Sequence, residues 1–312
     1  MKRKLTVAGV LLLLLFLLQY PQEALAASRE GMKLWLNTLI PTLLPFLILT
    51  GFLIHTDGIE KILSPLKKFW KKALGLSPQG AYAFLLGMLC GYPMGAKLAS
   101  DLYRYGKISR REAEYLLTFC NNASPAFITT YLAQICLDGK ASLKEILLIL
   151  ILSDFMCMLF FRFIVYRNKT IIPDAASVLK KETPHAGSPG AIIDVSIMNG
   201  FETITRLGGY ILLFSILASC ISHYWPFAPI GKYLLLGTTE ITTGLYQLAG
   251  SGLPFQTQYL CAVTMTAFGG LCIMAQTKSV LAGKLSILPY AAAKCLNAVF
   301  TAILVLTFSQ II

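Results

Sequence analysis

Apolar runs of membrane-spanning length recur along the chain: Leu5 to Tyr20, Met32 to Ile54, Leu143 to Tyr166, Ile197 to Ser222, Tyr259 to about Thr277 and Leu288 to Ile311. Each predicts a helix, because in hydrocarbon only a helix or a closed barrel satisfies every backbone N–H and C=O. Other apolar runs are cut short. Ala81 to Ala99 is broken by Gly91, Pro93 and Gly95 and followed by Lys97, and Glu112 to Leu137 is interrupted at Asn121-Asn122-Ala123-Ser124-Pro125. Leu234 to Ala249 carries Glu240 among Thr238, Thr239, Thr242 and Thr243. Broken backbone survives at membrane depth only where protein buries it or water reaches it, so these breaks mark a binding site rather than an anchor.

The breaks repeat. Laying Gly87 on Gly237 places Tyr92-Pro93-Met94-Gly95 opposite Thr242-Thr243-Gly244 and brings Phe119-Cys120-Asn121-Asn122 close to Phe268-Gly269-Gly270-Leu271. Between Gly58 and Leu76, apolar residues alternate at helical spacing with Lys61, Lys67, Lys68, Lys71 and Lys72, which predicts a helix lying in the cytoplasmic interface with Trp70 at headgroup level. Asn168 to Asp194 is rich in Pro, Gly, Ser and charge and reads as a hydrophilic linker between halves. At the start, Lys2-Arg3-Lys4, the apolar run and Ala24-Leu25-Ala26 allow a cleaved signal peptide. An uncleaved span is preferred here, because it closes the topology downstream.

Charge placement orients the chain. Of 312 residues 56% are hydrophobic and 13% charged, with mean hydropathy +0.66, about half the charge of a soluble domain. The net charge of +12 sits mostly in short loops on one side, as the positive-inside rule requires, so nucleic acid is not an expected partner. Only Arg29, Lys33, Lys140, Lys144 and Lys232 fall in the proposed outer loops. The first half then starts outside and re-enters from the cytoplasm, while the second starts inside and re-enters from outside. The fold class expected is an all-α polytopic membrane protein of two inverted repeats, each with a re-entrant hairpin and a broken helix. Its parts are an N-terminal span and connection (1–30), a first repeat (31–167), the linker (168–195) and a second repeat (196–312).

The residues expected to bind a solute are those of the breaks: Tyr92, Gly95, Lys97, Asn121, Asn122, Ser124, Glu240, Thr242, Thr243 and Lys278. Lys97 and Lys278 each follow a break and suit an anion, or snorkel to the interface. Glu240 suits a coupling cation or caps a half-helix. Half-helix N-termini attract anions and C-termini attract cations. Arg206 and Glu202, four apart, read as a structural ion pair, and Asp154 and Lys294 as packing or interfacial residues. The eight cysteines form no CxxC pair, and His55, His185 and His223 are far apart, so no metal or cofactor is expected. No Ser/His/Asp set occurs, and Gly91-Tyr92-Pro93-Met94-Gly95-Ala96-Lys97 lacks P-loop spacing. Enzyme activity is not expected.

Pro21-Gln22-Glu23-Ala24, Gly31-Met32-Lys33-Leu34-Trp35, Pro41-Thr42-Leu43-Leu44-Pro45-Phe46 and the block from Gly91 to Pro125 resemble the YlbJ-type sporulation integral membrane proteins, also called stage V sporulation protein VV. These belong to the nucleoside-recognition (Gate) domain group, which also holds relatives of the concentrative nucleoside transporters and the SpmA and SpmB spore maturation proteins. The resemblance implies an endospore-forming host, a place in the outer, mother-cell-derived forespore membrane, and movement of dipicolinic acid toward the forespore; the cytoplasmic N-terminus is expected from the basic residues at the start of the chain. The implied partners are that planar dianion, membrane lipids and other sporulation membrane proteins. A non-transporting sporulation scaffold, or a carrier of nucleosides or another carboxylate, are the alternative readings. A scaffold would tolerate continuous helices where a carrier needs the breaks.

Overall fold

The computed structural model describes residues 2–55, 63–167, 188–227 and 229–308, and every regular element among them is helical. Among the described residues, five helices are long and apolar enough to cross a bilayer: Pro21–Ile54, Leu143–Val165, Pro189–Tyr224, Phe255–Val280 and Leu288–Phe308. The chain is an all-α polytopic membrane protein. Most of the expected linker, and the start of the expected interfacial helix, lie outside the described residues.

Helix α1 (Lys2–Gln19) exposes Val10, Leu11, Leu14, Leu15 and Leu18 and buries Phe16. At Tyr20 the chain turns into α2 (Pro21–Leu34), which continues through a π-helical turn (Trp35–Leu39) into α3 (Ile40–His55). The helix therefore begins eleven residues before Met32, where the apolar run starts, because Pro21 at its first turn is preset for a helix start. The wide turn precedes Pro41 and Pro45, whose rings cannot accept a regular α-ladder below them. After a 3₁₀ turn (Ser64–Leu66), α4 (Lys67–Ala73) meets α5 (Pro78–Cys90) at 76°. Trp70, expected at headgroup level, is buried instead.

The first hairpin is α5 and α6 (Met94–Arg104), broken at Gly91-Tyr92-Pro93, with a cis Tyr92–Pro93 peptide. Short α7 (Arg110–Leu116) sits among Arg104, Lys107, Arg110 and Arg111, outside the five spans; Ser109 caps it. The chain unwinds over Asn121–Ser124 and resumes as a ten-residue π-helix, Phe127–Cys136. Next, α8 (Leu143–Phe160) ends in a π turn (Phe161–Val165), and α9 spans Pro189–Tyr224. The linker is shorter than expected at its far end, since the Ser188 hydroxyl accepts from Ala191 N–H and Pro189 takes the first helical position.

The second hairpin is α10 (Pro229–Thr239) and α11 (Ile241–Ala249), broken at Glu240. It is followed by α12 (Phe255–Phe268) and α13 (Gly270–Val280), broken at Gly269, and by α14 (Leu288–Phe308). A stripe of small residues lets α9 lie close along α2 and α3. Gly208 faces the Trp35 ring, Gly200 faces Leu44 and Ile48, Ser196 meets Gly51, and Trp35 Nε1–H donates to the Ile204 carbonyl at 2.8 Å. Among the described residues a small apolar core joins Phe16 and Ala24 to Ile216 and Cys220 of α9, and two larger ones form, one around α5, α6 and α7, the other around the π-helix, α8, α11 and α12. Helix α14 serves both, giving Tyr290 and Ala293 to the first and Val305 to the second.

Candidate functional site

The helix breaks meet between the two larger cores, and glycine is what lets them meet. A Cβ on Gly87 or Gly95 would strike the Cys120 carbonyl oxygen, and one on Gly91 (φ 83°) would strike Ser124, so the first hairpin lies directly on the second break. In the other hairpin, Gly244 lies against the Gly237 backbone, and Gly270 (φ 88°) against the Gly237 and Thr238 carbonyls. Gly87 and Gly237, paired by the sequence alignment, thus occupy the hairpin crossings. Tyr92 joins the two sets: its ring rests on Gly269 (φ 84°) and its hydroxyl donates to the Thr266 carbonyl at 3.1 Å.

Beside this crossing α14 presents Tyr290, Lys294, Asn297 and Thr301 on one buried face, while Leu288, Val299, Ile303 and Leu306 are exposed on the other. Lys294 is only 3% exposed. Its ammonium donates to Asn122 Oδ1, to the Ala267 carbonyl at 3.3 Å and to the Tyr92 hydroxyl at 3.4 Å, and lies 5.1 Å from the Tyr92 ring centroid. A cation at mid-bilayer costs about 3 kcal/mol on insertion scales, and such residues face partners or a pathway. Asp154, buried on α8, accepts from Asn297 Nδ2 at 2.6 Å, and its charge acts on Lys294. Asn121 supports the arrangement from below, donating to Thr277 Oγ1 at 3.1 Å and accepting from Ala96 N–H at 3.4 Å.

A cavity of about 180 Å³ adjoins the cluster, lined by Tyr92, Asn122, Asp154, Thr266 and Asn297 among apolar side chains. A larger open vestibule of about 1220 Å³ lies between α2, α9, α11 and the Phe127–Cys136 helix, with Arg29, Lys33, Ser219, Thr242, Thr243 and Gln247 in its wall. One face of the π-helix links the two, since Ile128 lines the small cavity and Tyr131 and Ile135 line the large one. Tyr131 donates to the Thr242 carbonyl at 2.7 Å.

The expected site residues separate accordingly. Tyr92 and Asn122 contact Lys294, Asn121 braces the same crossing, and Gly95 permits it. Ser124 Oγ accepts from Phe127 N–H and opens the second half-helix. Lys97 is paired with Asp101 at 2.8 Å on its own helix. Glu240 caps α11: Oε1 accepts from Thr242 N–H, and Oε2 from Thr243 N–H and the Thr242 hydroxyl. Thr242 and Thr243 line the vestibule, and Lys278 is exposed near the end of α13. Glu202 and Arg206 form an exposed ion pair. Sequence reasoning passed over Lys294, Asp154 and Asn297. The signal available was the spacing 290, 294, 297, 301, a polar stripe at helical period in an otherwise apolar span.

Residues 36–172 match the family profile described as Gate, nucleoside recognition. Over 93% of its length the chain is 26% identical to the sporulation integral membrane protein YlbJ of Bacillus subtilis (strain 168), and the match spans 78% of that relative. The resemblance to sporulation membrane proteins read from the sequence is thereby borne out. No solved structure matches the chain.

Proposed function

We propose that this chain, which carries a Gate region and is similar along most of its length to a sporulation integral membrane protein, is a carrier of small anionic solutes, with dipicolinate as its cargo. One observation carries this reading: a buried ammonium, Lys294, held by Asn122 and Tyr92 where the helix breaks cross and beside a cavity. A lysine among amide and phenol groups recognises a carboxylate, and the Tyr92 face suits a planar ring. Two halves, each with a broken hairpin and a broken span, are read as inverted repeats that rock about this crossing. On this reading the N-terminus faces the cytoplasm and the vestibule the outside, in line with the positive-inside rule, and the similarity to a sporulation membrane protein supports a place in the mother-cell-derived membrane around the forespore. The chain acts on its solute without transforming it, alongside lipids and other sporulation membrane proteins.

The test is uptake of labelled dipicolinate into proteoliposomes. Wild type is expected to show saturable uptake, reduced about 10- to 100-fold in Lys294→Met and in Asn122→Ala, the value of losing a hydrogen bond to a charged group. Glu240→Gln, by contrast, acts through α11. A folded wild type that neither binds nor moves dipicolinate, nucleosides or other carboxylates under any ion gradient would leave the scaffold reading.

A further inference from the structure

Resting on the carrier reading, we infer that Asp154 and Asn297 form a proton-binding site that couples proton entry to anion uptake at Lys294. Asn297 Nδ2–H donates to Asp154 Oδ1 at 2.6 Å, yet Asn297 Oδ1 is buried with no hydrogen-bond partner. Buried acceptors are rarely left so, and each one calls for an explanation. A carboxylate can only accept, whereas a carboxylic acid also donates. A proton added to the second Asp154 oxygen lets it donate to Asn297 Oδ1 while Oδ1 of Asp154 keeps accepting from Nδ2, the two-bond ring of an acid–amide pair. The orphaned acceptor thus gains a partner in the protonated state.

The same proton changes what Lys294 offers. With Asp154 ionised, the ammonium already has a counter-charge, and an entering carboxylate meets a second negative group in the same cavity, which both Asp154 and Asn297 line. With Asp154 neutral, the cation is left for the solute. The titratable and charged groups around Asp154 are Lys294 and Tyr290 on α14, Tyr92 at the first break, Cys120 before the second, and Cys157 on its own helix. Lys294 is the one cation and Asp154 the one carboxylate among these. The proton comes from water on the side from which the anion enters, adds to an Asp154 oxygen, and leaves on the other side when the anion departs; no other bond is made or broken.

The full-length protein is tested in proteoliposomes with dipicolinate as probe and the membrane potential clamped at zero. Exchange of labelled dipicolinate at equal pH reports the carrier reading, and net uptake under an imposed pH gradient, with an internal proton dye, reports this one. The expected result is exchange in wild type, together with steady-state accumulation rising about 10-fold per pH unit when one proton accompanies each anion. Whatever exchange Asp154→Asn retains ignores the gradient, and Asp154→Glu keeps the gradient response with a shifted pH midpoint. Exchange without a gradient response in wild type, or a response unchanged in both variants, overturns the inference and leaves the carrier standing. No exchange in folded wild type removes the carrier reading, and the inference falls with it.

Discussion

Lys294 and Asp154 do not touch: the ammonium bonds Asn122, Ala267 and Tyr92, and Asp154 bonds Asn297, but both are buried and the charge of one acts on the other. Removing one of two buried opposite charges leaves the other uncompensated, which is costlier than removing both together. Lys294→Met is therefore expected to lower the unfolding temperature in detergent markedly, and Lys294→Met with Asp154→Leu to recover most of the loss; additive losses would refute the coupling. Glycines make a second test at this scale. Gly95→Ala must push aside the Cys120 backbone carbonyl, whereas the nearest obstacle to Gly237→Ala is the flexible Met265 side chain. The first should abolish a folded product and the second lower yield slightly, measured by size-exclusion recovery. Tyr92 and Asn122 were legible in the sequence because they belong to breaks that interrupt an apolar run. Lys294 was not, since a lone lysine in a continuous span looks interfacial until the fold shows which face is buried.

Among the elements, α5 is anchored by a side chain from its neighbour. Glu112 on α7 accepts from Ser77 N–H at 2.6 Å and lies under Gly80, so the carboxyl closes the N-terminus of the first hairpin. Burial pushes this carboxyl up to about 7 from an ordinary 4.5, against the downward pull of the Ser77 hydrogen bonds. A raised carboxyl binds its proton more tightly in the folded state, so its contribution is fully present below about 4.5 and is lost as pH rises through about 7. Thermal stability should fall across that window in wild type and flatten there in Glu112→Gln; a variant with the wild-type slope would remove Glu112 as the cause. The elements themselves were largely readable: apolar runs gave the spans, and Gly, Pro and Asn the breaks. The α2 and α9 starts were misplaced because helix capping at Pro21 and Ser188-Pro189 extends helices into polar sequence that composition assigns to connections.

At the scale of the whole molecule, the two cavities predict an order of access. A cysteine replacing Ser219 in the vestibule wall should react with a membrane-impermeant thiol reagent added from outside, in a background lacking the native cysteines. One at Thr301, fully buried on α14, should not. Labelling of Ser219→Cys only from the cytoplasmic side would reverse the proposed orientation. The helix Phe127–Cys136, which lines both compartments, is wound with i→i+5 bonds over its ten residues. Such winding holds slack: each residue returned from i→i+5 to ordinary α-winding turns the side chains beyond it by the difference between the two windings, on the order of 15°, and the turns add along the helix. Tyr131 lies within that coil, tied to the Thr242 carbonyl. A rewinding there would swing one phenol out of the way like a latch, with no rigid body sliding through the bilayer.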